Sequence, residues 1–210
     1  APVQDESGRI SLQAPVEWTD SKSAPFEIDG ETVGVEFTTS PDVKDFNESW
    51  KTPGAYVAVW DDFGATDLDE VLDTVTFKDD CTYDTRYEYE GDTFAGKYDL
   101  WNNCGGIEGA SFASFALTSD ALADALVLLY IGTPTTQDLS ILDPILSTLR
   151  IMPANQNAAA AGTARADSPT ENAPVSEVGA VEPTIEILAP TLNVRGGPGT
   201  VYDIIATVSK

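Results

Sequence analysis

Alternation of apolar and polar positions is clearest between Cys81 and Cys104. From Cys81 to Tyr89 the odd positions are Cys81, Tyr83, Thr85, Tyr87 and Tyr89; the even ones are Thr82, Asp84, Arg86 and Glu88. Period two marks a strand with one buried face. Gly91, Asp92 and Thr93 supply a turn. The return strand puts Phe94, Tyr98 and Leu100 on one face, and Thr93, Lys97 and Asp99 mostly on the other. If Gly91 pairs with Phe94, then Tyr89 faces Gly96, Tyr87 faces Tyr98, Thr85 faces Leu100, Tyr83 faces Asn102 and Cys81 faces Cys104. Directly opposed strand residues are close enough for a disulfide to span. Pattern and cysteines thus select one register independently. Closing such a loop stabilises by about 3 kcal/mol in the chain-entropy model. A redox-active pair is the competing reading, and the absence of C-x-x-C spacing speaks against it.

The same reading extends along the chain. Ala1 to Arg9 is polar and reads as a frayed tail. Ile10, Leu12 and Ala14 alternate as a first strand, with a bend at Pro15 to Trp18. Pro25 to Ile28 reads as a short strand, Asp29-Gly30 as a turn and Thr32 to Thr38 as a longer strand. A helix is predicted over Asp42 to Trp50, capped by Ser40 or Asp42, with Val43, Phe46 and Trp50 on one face. Ala55 to Trp60 is apolar and β-rich, as expected of a strand buried on both sides. Thr66 is a cap for a helix from Asp67 to Val75, with acidic residues in the first turn where the helix dipole favours them. Beyond the hairpin, Gly105-Gly106 turns, and Ser111 to Leu117 and Leu126 to Ile131 read as strands, with a helical turn over Ser119 to Ala125. A last helix, capped by Thr135 or Thr136, carries Leu139, Leu142, Ile145, Leu146 and Leu149 to one side, with Pro144 as a potential bend.

About seven mostly antiparallel strands and two or three helices define the expected fold class: α+β, an antiparallel sheet flanked by helices, with one disulfide-closed hairpin. The closing segment Asp138 to Ile151, together with Pro15-Val16-Glu17-Trp18, resembles the α/β/α sandwiches of the PsbP/Mog1/LpqN-like group over Ile10 to Met152. That resemblance implies a binding or assembly module, of a kind that accompanies secreted bacterial proteins, serine proteases among them.

Residues 153–183 differ in composition. They are rich in Ala, Asn, Ser, Thr, Pro and Glu and lack aromatic residues. Such a segment cannot bury enough apolar surface to fold alone and reads as a disordered linker. Alternation returns at Ile185, Ile187 and Ala189. It leads into Leu192-Asn193-Val194-Arg195-Gly196-Gly197-Pro198-Gly199-Thr200-Val201-Tyr202. This run closely resembles the opening signature of the bacterial SH3 (SH3b) family. The residues agree: Leu192 and Val194 share a strand face, the glycines permit a tight loop, and Ile204 to Val208 begins another strand. The resemblance implies a small all-β barrel that binds cell-wall peptides or proteins. Residues 184–210 hold only its first part. The expectation is an incomplete barrel, completed by further chain or by a neighbouring molecule.

Charge changes the picture next. The 210 residues carry 35 acidic and 11 basic side chains, a formal charge of −24. A surface of that sign repels nucleic acid and anionic membrane, and suits a saline medium, divalent cations or a basic partner. With no histidine, the usual neutral-pH base is missing and no Ser-His-Asp triad can form within the chain. No apolar run approaches the span of a bilayer. Two paired cysteines suit an oxidising compartment, and Ala1-Pro2-Val3-Gln4 reads as the start of a mature secreted chain.

Three carboxylate groupings invite a chemical reading. Asp61, Asp62, Asp67, Asp69 and Glu70 are dense enough to hold Ca²⁺, but lack the spacing of a calcium loop. Asp79, Asp80 and Asp84 form a similar group beside Cys81. A glycosidase-like acid pair carries no information among 35 acids. Solvated loops and helix-dipole pairing are the competing readings for all of them. Asn47-Glu48-Ser49 is an isolated glycosylation sequon.

The expected function is a secreted, non-catalytic binding or adaptor protein without cofactor, engaging the cell envelope or a protein through its SH3b segment. Two alternatives stand beside it. One is a structural subunit of an extracellular homo-oligomeric assembly joined through the C-terminal strands. The other is an accessory region of a longer secreted enzyme.

Overall fold

Two short strands open the chain, β1 (Pro2–Gln4) and β2 (Ile10–Gln13), followed by two long ones, β3 (Asp20–Ile28) and β4 (Glu31–Ser40). Helix α1 (Val43–Glu48) leads into β5 (Gly54–Trp60), and α2 (Leu68–Thr74) into the hairpin of β6 (Thr82–Glu90) and β7 (Ala95–Asn102). After a 3-10 turn at Cys104–Gly106 come β8 (Ser111–Thr118), β9 (Leu126–Thr133), α3 (Leu142–Thr148) and β10 (Arg150–Ile151). This computed structural model describes residues 1–64, 67–122, 124–135 and 140–154, and the backbone of two further strands, β11 (Thr191–Arg195) and β12 (Ile204–Ser209).

Seven strands form one antiparallel sheet in the order β3-β4-β5-β9-β8-β7-β6. Two meanders build it. The first runs β3 to β5; α2 then carries the chain to the far edge, and the second returns from β6 to β9 to close against β5. The β5, β8 and β9 segments sit in the middle and are buried on both faces. That is why GAYVAVW and LVLLYIGT are nearly unbroken apolar runs rather than alternating ones.

Each face of the sheet has its own core. One face packs Phe37, Val57, Phe115 and Leu129 against Ile10, Leu12, Trp18, Ile145 and Leu149. Its cover is a second antiparallel sheet, β1-β2-β10, together with α3. The opposite face packs Tyr56, Trp101, Phe112 and Tyr130 with Phe46 of α1, Leu72 of α2, Phe77 and both cysteines. The architecture is therefore a layered, mixed α and β fold with antiparallel sheets, few helices and one disulfide.

Cys81 and Cys104 are bonded, with their Cα atoms 4.1 Å apart. The expected register holds from Tyr89 opposite Gly96 to Thr85 opposite Leu100, then shifts: Tyr83 faces Trp101, not Asn102. Asp84 is an extra residue, a β-bulge. The bulge reverses the phase of the alternation, so Cys81 and Tyr83 share a face with Arg86 instead of Tyr87. Asn103, in the left-handed region at φ 54°, and the 3-10 turn then bring Cys104 back to Cys81.

Other expectations are corrected. The first nine residues are not a frayed tail. Strand β1 pairs with β2, and Asp5 is buried, accepting bonds from the Ile10 N–H at 2.6 Å and the Ser7 N–H at 3.1 Å. Arg9 is also buried; it donates through Nε to the Met152 carbonyl at 2.9 Å and forms a two-pronged pair with Asp61. One guanidinium thus fastens the small sheet to the end of β5. Strand β3 begins at Asp20 rather than Pro25, because ladder bonds to β4, not apolar alternation, hold this edge. Helix α1 is capped by Asp42, which accepts from the Asp45 N–H at 2.9 Å. Trp50 lies beyond its end, edge-on to Phe77 and Phe112. Helix α3 begins at Leu142, so Pro144 lies in its first turn and bends nothing.

Strands β11 and β12 pair antiparallel, with Leu192 opposite Val208 and Val194 opposite Ala206. Gly197, Pro198, Gly199 and Tyr202 lie outside the described residues, as do Thr66 and most of the expected linker.

Candidate functional site

A cleft of about 310 Å³ opens between α2 and the β6–β7 hairpin, lined by Leu72, Asp73, Thr76, Tyr83, Arg86, Asp99 and Trp101. Local folding explains how it arises. Asp67 caps α2 by accepting from the Asp69 N–H at 2.9 Å. Asp69 and Glu70 then occupy the first turn, where the positive end of the helix dipole favours them. The apolar side of α2 buries Leu72 in the same core as Trp101. This lays an acidic helix across the face of the hairpin that carries Arg86, Lys97 and Asp99.

Arg86 is the hub. It faces Asp99 across the ladder and donates to both carboxylate oxygens, Nε to Oδ1 and Nη2 to Oδ2, each at 2.8 Å. It also reaches Asp69 Oδ1 at 3.0 Å and Asp73 Oδ1 at 2.9 Å on α2. Lys97 binds Asp69 at 2.5 Å and Glu88 at 3.5 Å. Four carboxylates thus surround two cations, and the rim stays acidic. Asp99 is only 2% exposed; a buried carboxylate requires such a fork-shaped partner.

The electrostatics follow from these contacts. Bonding to Asp99, then to Asp69 and Asp73, raises the Arg86 pKa further above its ordinary value. Bonds from Lys97 and Arg86 lower that of Asp69, and Asp69 in turn raises that of Lys97. Desolvation, reinforced by the charge of Asp99, raises the Tyr83 phenol. Tyr83 and Arg86 therefore keep their protons at neutral pH. Tyr83 is 47% exposed, with its ring at 64° to the Trp101 indole and 5.0 Å from it. The Trp101 Nε1–H is occupied by Ser114 Oγ at 3.3 Å. The cleft therefore presents a prearranged lattice of charge beside an accessible aromatic face.

The acidic groups singled out in the sequence disperse. Asp61 pairs with Arg9, Asp62 sits in a turn at φ 52°, Asp67 caps α2, and Asp69 joins the ion pairs of Arg86 and Lys97. Asp80 supplies a carbonyl to the Gly105 N–H, and Asp84 is the bulge. Among the described residues no three His, Cys, Asp or Glu side chains are grouped to hold a metal ion. The sequon begins at Asn47 in the last turn of α1 and ends at its C-cap Ser49, with the Asn47 Oδ1 buried and unpartnered.

Arg86 and Asp99 were missed because alternation assigns their face to solvent. The hairpin register does set Arg86 opposite Asp99 and Glu88 opposite Lys97, and two opposite-charge pairs in succession were the available signal. Among the described residues no helix is long and apolar enough to cross a membrane. Comparison with protein-family models, curated proteins and solved structures gives no match.

Proposed function

We propose that this chain is a non-catalytic binding protein of an oxidising, extracytoplasmic compartment, with the cleft between α2 and the hairpin as its contact surface. The observation that carries the reading is the complete pairing of Arg86. Its guanidinium is spent on three carboxylates, and Tyr83 and Arg86 both stay protonated near neutrality. Such a site offers fixed shape and charge rather than proton transfer, which needs a group titrating near the working pH. The disulfide supports the compartment. The SH3b-like signature at Leu192 to Tyr202 supports a second contact, with a cell-wall component or protein.

The test uses the full chain on beads, offered isolated cell walls and secreted proteins from its source. Specific retention is expected to weaken in Tyr83→Ala, since the exposed aromatic face is lost while the ion pairs stay. Absence of retention, or retention indifferent to Tyr83 and to the C-terminal strands, overturns the reading.

A further inference from the structure

The two edges of the seven-stranded sheet are guarded differently. On β3 the edge carries Lys22 and Pro25, and its ladder is broken by a bulge where Phe26 pairs with Gly34 and Glu27 with Thr32. Proline, lysine and bulges are the usual devices that stop an edge from accepting another strand. The β6 edge has none of them between Thr85 and Glu90. Among the described residues β6 is hydrogen-bonded to β7 alone.

The phase of the ladder shows what β6 offers. The Gly91 N–H donates to the Phe94 carbonyl at 2.9 Å. Bonded and non-bonded pairs alternate in an antiparallel ladder. Hence Tyr89, Tyr87 and Thr85 spend their backbone groups on β7, and Glu90, Glu88 and Arg86 turn theirs outward. That is a regular row of three open donor and acceptor pairs.

Charge selects the occupant. Asp84, Glu88 and Glu90 are exposed along this strand. The Glu88 side chain is 80% exposed and that of Asp73, on the cleft rim, 72%. A second copy of the chain would oppose like charges across the new ladder, against an overall charge of −24. A basic strand meets the opposite situation. On the α2 side its side chains reach Glu88, Asp73 and the cleft, where the Tyr83 ring can face a cation. On the other side they meet Tyr87, which is 41% exposed and stacked on Tyr98.

We propose that β6 binds an extended segment of a partner protein, basic at alternate positions and apolar between them, by strand addition beside the cleft. This deepens the binding reading above and rests on it.

The probe is a short capped peptide alternating lysine and valine, titrated into the full chain. Its control is the same peptide with every backbone nitrogen methylated, equal in charge but unable to donate along a ladder. The first peptide is expected to bind and the second to bind at least about tenfold more weakly. Backbone amides of Arg86, Glu88 and Glu90 should exchange more slowly on binding, with those of Tyr87 and Tyr89 little changed. Glu88→Pro removes one outward N–H without touching a ladder bond, and should weaken binding about tenfold beyond Glu88→Gln. Equal binding of the two peptides, no binding of either, or no slowing at the three amides overturns the proposal. If Glu88→Pro fails to fold, the exchange pattern of the unaltered chain decides alone. Tyr83-dependent retention of natural partners without amide protection defeats strand addition only; failure of both defeats the binding reading too.

Discussion

At the scale of single residues, Arg9 is the side chain on which most depends. It is buried, paired with Asp61, and bonded to the Met152 carbonyl, so it links three distant parts of the chain. Removing one member of a buried pair leaves the other uncompensated. Arg9→Ala should cost about 3 kcal/mol, read as a lower urea midpoint with unchanged slope. A cost no larger than that of an exposed pair would show the link to be dispensable. Glu36 gives a prediction of another kind. Burial raises its pKa, opposed by the bond from Tyr56 Oη at 2.8 Å. Between its unfolded value and the raised folded one, the native state holds the extra proton. Stability from this group is therefore full below the unfolded pKa and lost as pH rises through the folded one. Glu36→Gln keeps an acceptor for Tyr56 and should flatten that loss in unfolding midpoints measured from about pH 4 to 7. An identical slope in both proteins would refute the assignment.

At the scale of elements, the hairpin shows how far alternation reaches. Tyr87 opposite Tyr98 follows from the pattern, since it depends on residues adjacent along two local strands; the cysteine partners were also foreseen, but the bulge and the turn at Asn103, not the extrapolated register, bring them together. The bulge at Asp84 does not follow from the pattern. It was invisible because one inserted residue leaves each flanking alternation intact and changes only the phase between them. Replacing both cysteines, as Cys81→Ser with Cys104→Ser, should cost about 3 kcal/mol and loosen first the turn at Cys104–Gly106, which amide exchange would detect. Unchanged stability would mean that the apolar packing of Phe77, Trp101 and Phe112 holds this corner without the bond. Helix α2 was legible from its acidic first turn and apolar side, although Asp67 rather than Thr66 caps it. What it covers was not, because helix and hairpin meet only after the chain has crossed to the far edge of the sheet.

At the scale of the whole molecule, charge dominates. A net −24 over 210 residues repels itself, and salt screens that repulsion. Molar sodium chloride should raise the thermal midpoint by about 3 °C for each kcal/mol of repulsion removed. A midpoint that falls would show that ion pairs such as Arg86 with Asp69 and Asp73 outweigh the excess of like charge. Basic ligands should bind more weakly in the same salt, for the same reason.

The chain by itself determined the strands with strong alternation, the doubly buried strand from Ala55 to Trp60, the acidic first turn of α2 and the choice of cysteine partners. Each rests on interactions between residues near in sequence or on a period that repeats locally. Tertiary structure alone decided that Pro2 to Gln4 belong to a sheet, that Arg9 closes on Asp61, and that the polar face of the hairpin lies under α2. Those outcomes depend on contacts across long stretches of chain. There a polar residue is stabilised by a partner whose approach is set by how two layers pack, and no local pattern records it.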